Sequence, residues 1–299
     1  MSSSDMQTTP TVTASNAQTA GWWWAALGML CFSFTLPATR LAVPEFGSYL
    51  VGFGRSALAG VLALALLLVL RENIPERRHW LGLGIVAAGT VFGFSVFTAL
   101  ALKTVPASHG AVVVGLLPAA TAIAAVLLAR ERPRPAFWLV CGLGVVAVLI
   151  FAVVQGAGQL AAGDIYLLLA VIFAAAGYAE GGRLARELGG WRVVSWALAF
   201  SLPLTLLATF LSPWPTQLPS GTAWVAFGYV SLVSVFLGFF AWYKGLALGG
   251  VARAGQVQLL QPVLTVLWSA LLLGEHVGVA TVVASLVVVG IALLSRVTR

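Results

Sequence analysis

Charge is what this sequence has least of. Only 8% of its 299 residues are Asp, Glu, Lys or Arg, where soluble domains carry about a quarter. Nine acids and sixteen bases cannot supply the polar shell of a soluble fold this size. That excludes a soluble enzyme, a nucleic-acid-binding domain and a disordered scaffold. Cysteine is scarce as well. Cys31 and Cys141 both lie in apolar runs, without metal-ligand spacing or a disulfide framework, and read as small buried hydrophobes. The three histidines, His79, His109 and His276, are dispersed near loops, so no His pair with an acid offers metal-assisted hydrolysis. No Gly-x-Ser-x-Gly elbow and no acidic ring or filter-like repeat is present, which argues against an intramembrane hydrolase and a channel. No metal or cofactor is called for. Residues 1–20 hold no Lys or Arg and lack the basic segment of a signal peptide. They are expected to form a disordered tail.

What is abundant is apolar sequence: 60% hydrophobic residues and a mean hydropathy of +1.00. A helix needs about 20 mainly apolar residues to cross the hydrocarbon of a bilayer. Ten such spans can be read: 21–42, 48–70, 80–102, 107–129, 135–154, 164–185, 192–211, 222–247, 250–273 and 277–296. Unbroken hydrophobicity excludes the alternation of a membrane barrel. The fold is therefore an all-α membrane protein, with Trp22, Trp23 and Trp24 marking the interface at the first span.

The net charge of +7 has a topological origin. With the N-terminus inside, thirteen of the sixteen bases fall on inner loops or the C-terminus, among them Arg71, Arg77, Arg78, Arg183, Arg186 and Arg192. Only Arg40 and Lys103 fall outside, and Arg55 sits within the second span. Positive charge collects on the cytoplasmic side, so both termini are expected in the cytoplasm.

The two halves of the chain echo each other. The fourth span contains Pro118 and closes on Glu131; the ninth contains Pro262 and closes on Glu275. Each glutamate follows its proline by thirteen residues, at a shift of 144. Five spans per half make the halves opposite in orientation, a construction found in secondary transporters. The expected organisation is a tail over 1–20, a first repeat over 21–154 and a second over 155–299.

On these residues the chain resembles the drug/metabolite transporter superfamily, of the EamA type. The resemblance is carried by Pro118 with Glu131, Pro262 with Glu275, Arg55 in Gly54-Arg55-Ser56, and the Gly163-Asp164-Ile165 opening of the second half. It covers nearly everything after residue 20 and looks most like YddG-type aromatic amino acid exporters. Such a resemblance implies a monomeric carrier of small molecules in the bacterial inner membrane, working by alternating access, with a cavity among spans 3, 4, 8 and 9 and parts of 1 and 6. The sequence departs from the small multidrug exporters, because the first span carries no acid.

Polar side chains at membrane depth mostly face the bundle interior. Gln258, Gln261, Thr265 and Trp268 share one helical face of the ninth span. Trp242, Tyr243 and Ser234 on the eighth, Phe94, Ser95 and Thr98 on the third, and Tyr178 on the sixth complete an aromatic and amide lining. Amides both donate and accept, which suits the charged groups of an amino acid; interhelical bonding is the competing role for each. Pro118 and Pro262 each remove a backbone donor at mid-span, giving a kink that is either structural or a gating hinge. Glu180 lies well inside the sixth span. It is the candidate proton carrier, or else pairs with Arg183. The closing glutamates either cap and pair at the interface or touch substrate.

Overall fold

The computed structural model describes residues 11–129, 135–155 and 161–297. Among these residues it is helical, with no strand. In chain order the helices are α1 (Thr11–Ser33), α2 (Thr35–Phe46), α3 (Ser48–Val69), α4 (Arg77–Val86), α5 (Ser95–Ala101), α6 (Ala107–Val114), α7 (Leu117–Ala129), α8 (Pro135–Gln155), α9 (Ala162–Leu188), α10 (Gly190–Leu211), α11 (Gly221–Gly228), α12 (Gly238–Gln258), α13 (Gln261–Leu273) and α14 (Val279–Val297). Two π-helical segments, Ala87–Phe94 and Tyr229–Leu237, join α4 to α5 and α11 to α12.

Seven of the expected spans coincide with helices long and apolar enough to cross a membrane. The other three coincide with shorter apolar helices, Pro135–Phe151, Gln261–Leu273 and Val279–Ile291. Two boundaries differ. Helix α1 begins at Thr11, inside the segment read as a tail. The ninth span, expected to open at 250, has its main helix from Gln261, and α12 runs on to Gln258. Pro262 explains this break: lacking an N–H, it leaves the Gln258 carbonyl without its helical donor, and Leu259-Leu260 form a turn there. Glu131 lies outside the described residues.

Close helix packing rests on glycine. A β-carbon on Gly28 would fall 2.8 Å from the Trp242 backbone nitrogen, and one on Gly245 would fall 2.7 Å from the Ala25 Cα. Helices α1 and α12 thus interlock through small residues, the usual device where lipid removes the hydrophobic drive for helix association. Gly89 and Gly177 make a similar seam between the first π segment and α9.

The two ends of the bundle are tied differently. At the arginine-rich end, Arg192 bonds Glu72 (2.8 Å), His79 Nε2 meets Glu187 (3.1 Å) and Lys244 lies 4.0 Å over the Trp24 ring. The Arg192 guanidinium holds the Glu72 carboxyl below the usual carboxylate range. At the opposite end, Glu275 accepts the Ala107 and Ser108 N–H groups, both at 2.8 Å. There the carboxylate satisfies free donors at the start of α6. His109, in the first turn of α6, is buried, its Nε2 2.5 Å from Asp164 Oδ1.

Single cysteines in a Cys31→Ser, Cys141→Ser background test the orientation that the arginine asymmetry implies. Those placed in 43–47 or 212–220 are expected to react with an impermeant maleimide from outside intact cells, and one at 73–76 to react only after lysis. Labelling of the 73–76 site in intact cells would overturn the scheme.

Candidate functional site

Three interrupted helices converge at the centre of the bundle, and proline underlies each interruption. Pro37, Pro118 and Pro262 deprive the carbonyls of Ser33, Val114 and Gln258 of their helical partners. The chain accordingly breaks at Phe34, at Gly115-Leu116 and at Leu259-Leu260. The Ser33 carbonyl is recaptured from another helix by the Thr265 hydroxyl at 2.8 Å, and the Ser33 hydroxyl accepts the Trp268 indole N–H at 3.0 Å.

Where the breaks meet lies a small cavity lined by Leu36, Ala111, Val114, Gly115, Pro118, Gln258, Gln261, Pro262 and Thr265. Its free space, about 10 Å³ for the centre of a water molecule, holds roughly one water. Gln258 and Gln261 are both buried, and the Gln258 amide nitrogen has no hydrogen-bond partner. A buried amide donor without a partner costs about 1–3 kcal/mol, which favours an occupant able to accept from it.

Along α13, one turn beyond Thr265, Trp268 stacks on Phe34 with ring centroids 4.4 Å apart. One further turn on, Leu272 joins Phe34, Ala38, Val225 and Tyr229 around an apolar cleft of about 430 Å³. The stacked pair therefore stands between the cleft and the cavity.

The expected site residues do not gather at one place. Gln258, Gln261 and Thr265 meet Pro118 and Pro262 at the cavity. Trp242, Tyr243 and Tyr178 form an aromatic cluster with Phe32 and Phe239, in which Tyr178 lies 5.8 Å from Trp242 and 6.3 Å from Phe32. The Tyr243 hydroxyl donates to the Gly177 carbonyl at 3.1 Å. Phe94 and Thr98 gather round Arg55 instead, while Ser95 donates to the Thr90 carbonyl. Ser234 bridges to Thr35 at 2.8 Å. Glu180, buried, is bonded through both oxygens by Arg183, with a closest approach of 2.6 Å.

Sequence reasoning passed over the break at Phe34 and the Ser33 contacts it creates. Pro37 was the available signal, since a proline inside a helix frees the carbonyl four residues before it. Among the described residues no cluster of His, Cys, Asp and Glu could hold a metal ion.

The model of the EamA-like transporter family matches this chain twice, over residues 19–153 and again over 161–296. The chain belongs to the EamA-like transporter family. This EamA-family protein is 46% identical over 275 residues to "Uncharacterized transporter YdeK" of Bacillus subtilis (strain 168), covering 92% of this chain and 96% of that relative. It is 30% identical over 270 residues to "Uncharacterized protein PA1977" of Pseudomonas aeruginosa, covering 88% and 90%. A protein crystal structure 22% identical in sequence shares the fold, with a TM-score of 0.63 over 94% of this chain and 96% of that one. The family is one of transporters in the drug/metabolite superfamily, so this is a multi-pass membrane protein acting on small molecules.

Proposed function

We propose that this EamA-family transporter exports amino acids, with aromatic and large apolar ones preferred, across the bacterial inner membrane by alternating access. The observation that carries the reading is the meeting of three broken helices at a cavity with two buried amides. Freed carbonyls and amide groups suit an ammonium and a carboxylate, and the neighbouring aromatic cluster suits an apolar side chain. On this reading Gln258 and Gln261 hold the polar end of the solute. The cluster of Trp242, Tyr178 and Phe32 closes one half of the path, and Phe34 with Trp268 gates the other.

Ten spans in two inverted repeats, with both termini cytoplasmic, complete the proposal. Several matched features support it. The family model fits both halves; the turns at Gly115-Leu116 and Leu259-Leu260 lie 144 residues apart; and π segments recur at 87–94 and 229–237. Pro118 and Pro262 then act as paired hinges. Alanine at either position restores a backbone donor, and is expected to slow transport while moving the melting temperature by only a few degrees. Parent rates in both variants would reduce the prolines to packing features.

The reading is tested by counterflow in proteoliposomes. Tryptophan is expected to exchange saturably, with phenylalanine and methionine competing better than threonine, dicarboxylates or cationic dyes. Ohmic current without counterflow would point to a channel, and preferential competition by the dyes to a multidrug exporter.

A further inference from the structure

Arg55 is fully buried, eight residues into α3. Its guanidinium donates to the Thr98 hydroxyl at 2.9 Å, the Thr39 hydroxyl at 3.3 Å and the Phe94 carbonyl at 3.4 Å. All three acceptors are neutral, and Arg55 Nε has no partner. Among the described residues every short contact between a base and a carboxylate involves other groups. The buried acids are already engaged, Glu180 by Arg183 and Asp164 by His109.

A charge held inside a membrane bundle is costly and is normally matched by an opposite charge. Among the described residues none faces Arg55, so the interior beside α2 is left with a positive charge that no carboxylate there offsets. Thr39, which Arg55 touches, lies on α2 one turn beyond Leu36, and Leu36 lines the central cavity. The arginine therefore stands behind the cavity wall rather than in it.

We propose that Arg55 sets the charge selectivity of this carrier: its uncompensated positive field makes the cavity accept solutes bearing a carboxylate and reject organic cations. The inference rests on the transport reading above and narrows it to anionic or zwitterionic substrates. Arg55 acts through space and through Thr39, as a positioning residue that need not touch the solute.

The test uses two probes of similar shape and opposite charge, indole-3-propionate and tryptamine, with ligand-induced thermal stabilisation of the purified protein as the readout. This measurement does not require transport, so the failure of tryptophan counterflow would count against the function and leave the charge question decided separately. Wild type is expected to bind indole-3-propionate more tightly. In Arg55→Gln the preference is expected to shift toward tryptamine by at least about tenfold. That is the scale for a unit charge one helix-packing distance away at an effective dielectric of about 20. Arg55→Lys keeps the charge and is expected to keep the preference; a purely structural role would weaken both probes equally in either variant. Wild type that binds tryptamine as well as indole-3-propionate, or binds neither, overturns the inference whether or not the variants fold. So does an Arg55→Gln protein whose preference is unchanged.

Discussion

A Gly89→Val protein is expected to lose its native bundle. The new β-carbon would overlap the Phe173 carbonyl oxygen and lie 2.8 Å from the Gly177 Cα. These are backbone atoms of α9 that no rotamer change can clear. The first π segment and α9 would have to separate, at a cost at or above the 1–3 kcal/mol usual for overpacked cores. Gly84, on the preceding helix α4, is the control, because a β-carbon there meets nothing within 4 Å. Gly84→Ala is expected to be neutral or slightly stabilising, since alanine gives up less conformational freedom in a helix. Melting curves in detergent check both. Equal stability of Gly89→Val and wild type would mean that the seam is looser than described.

The second large effect is expected at Gln261. Its buried amide lines the central cavity opposite Pro118. Leucine there would remove one of the two amides proposed to hold the polar end of the solute, weakening binding by about 1–3 kcal/mol, or roughly 5- to 150-fold in Kd. Tryptophan-induced stabilisation and counterflow should fall together, while stability without ligand is kept or raised by the apolar replacement. An unaffected tryptophan Kd in Gln261→Leu would move the site away from these helices.

Seven of the expected spans were legible because membrane insertion is read over some 20 residues at once, and single exceptions do not erase the signal. The pairing of Glu180 with Arg183 was legible too, as both lie on one helix three residues apart. Helical periodicity, however, tells only which residues share a face, and never which helix that face will meet. Thus Thr98 looked like a cavity residue and is bonded to Arg55, while Trp268 is held by Ser33. His109 sits near the end of its span in sequence, yet its burial depends on Asp164, 55 positions away. The π segments carry no proline and no local signature of their own, so nothing in the hydropathy marked them. The split of the glutamine stripe between α12 and α13 was implicit in Pro262, whose missing donor is a local fact; the angle between the two pieces is set by their neighbours.

Those π segments have a mechanical meaning. A π turn closes its hydrogen bonds over five residues where an α turn uses four, so each segment stores one residue in excess of the surrounding helix. Expelling that residue, or passing it one position along, rotates everything beyond it by about 100°. Beyond the first segment lies α5, with Ser95 and Thr98. Beyond the second lies the start of α12, with Trp242 facing Gly28. Two helices of this bundle are thus wound by one notch each, and a carrier so built can exchange the side chains it shows to its interior by twisting in place, without tilting a helix through the lipid.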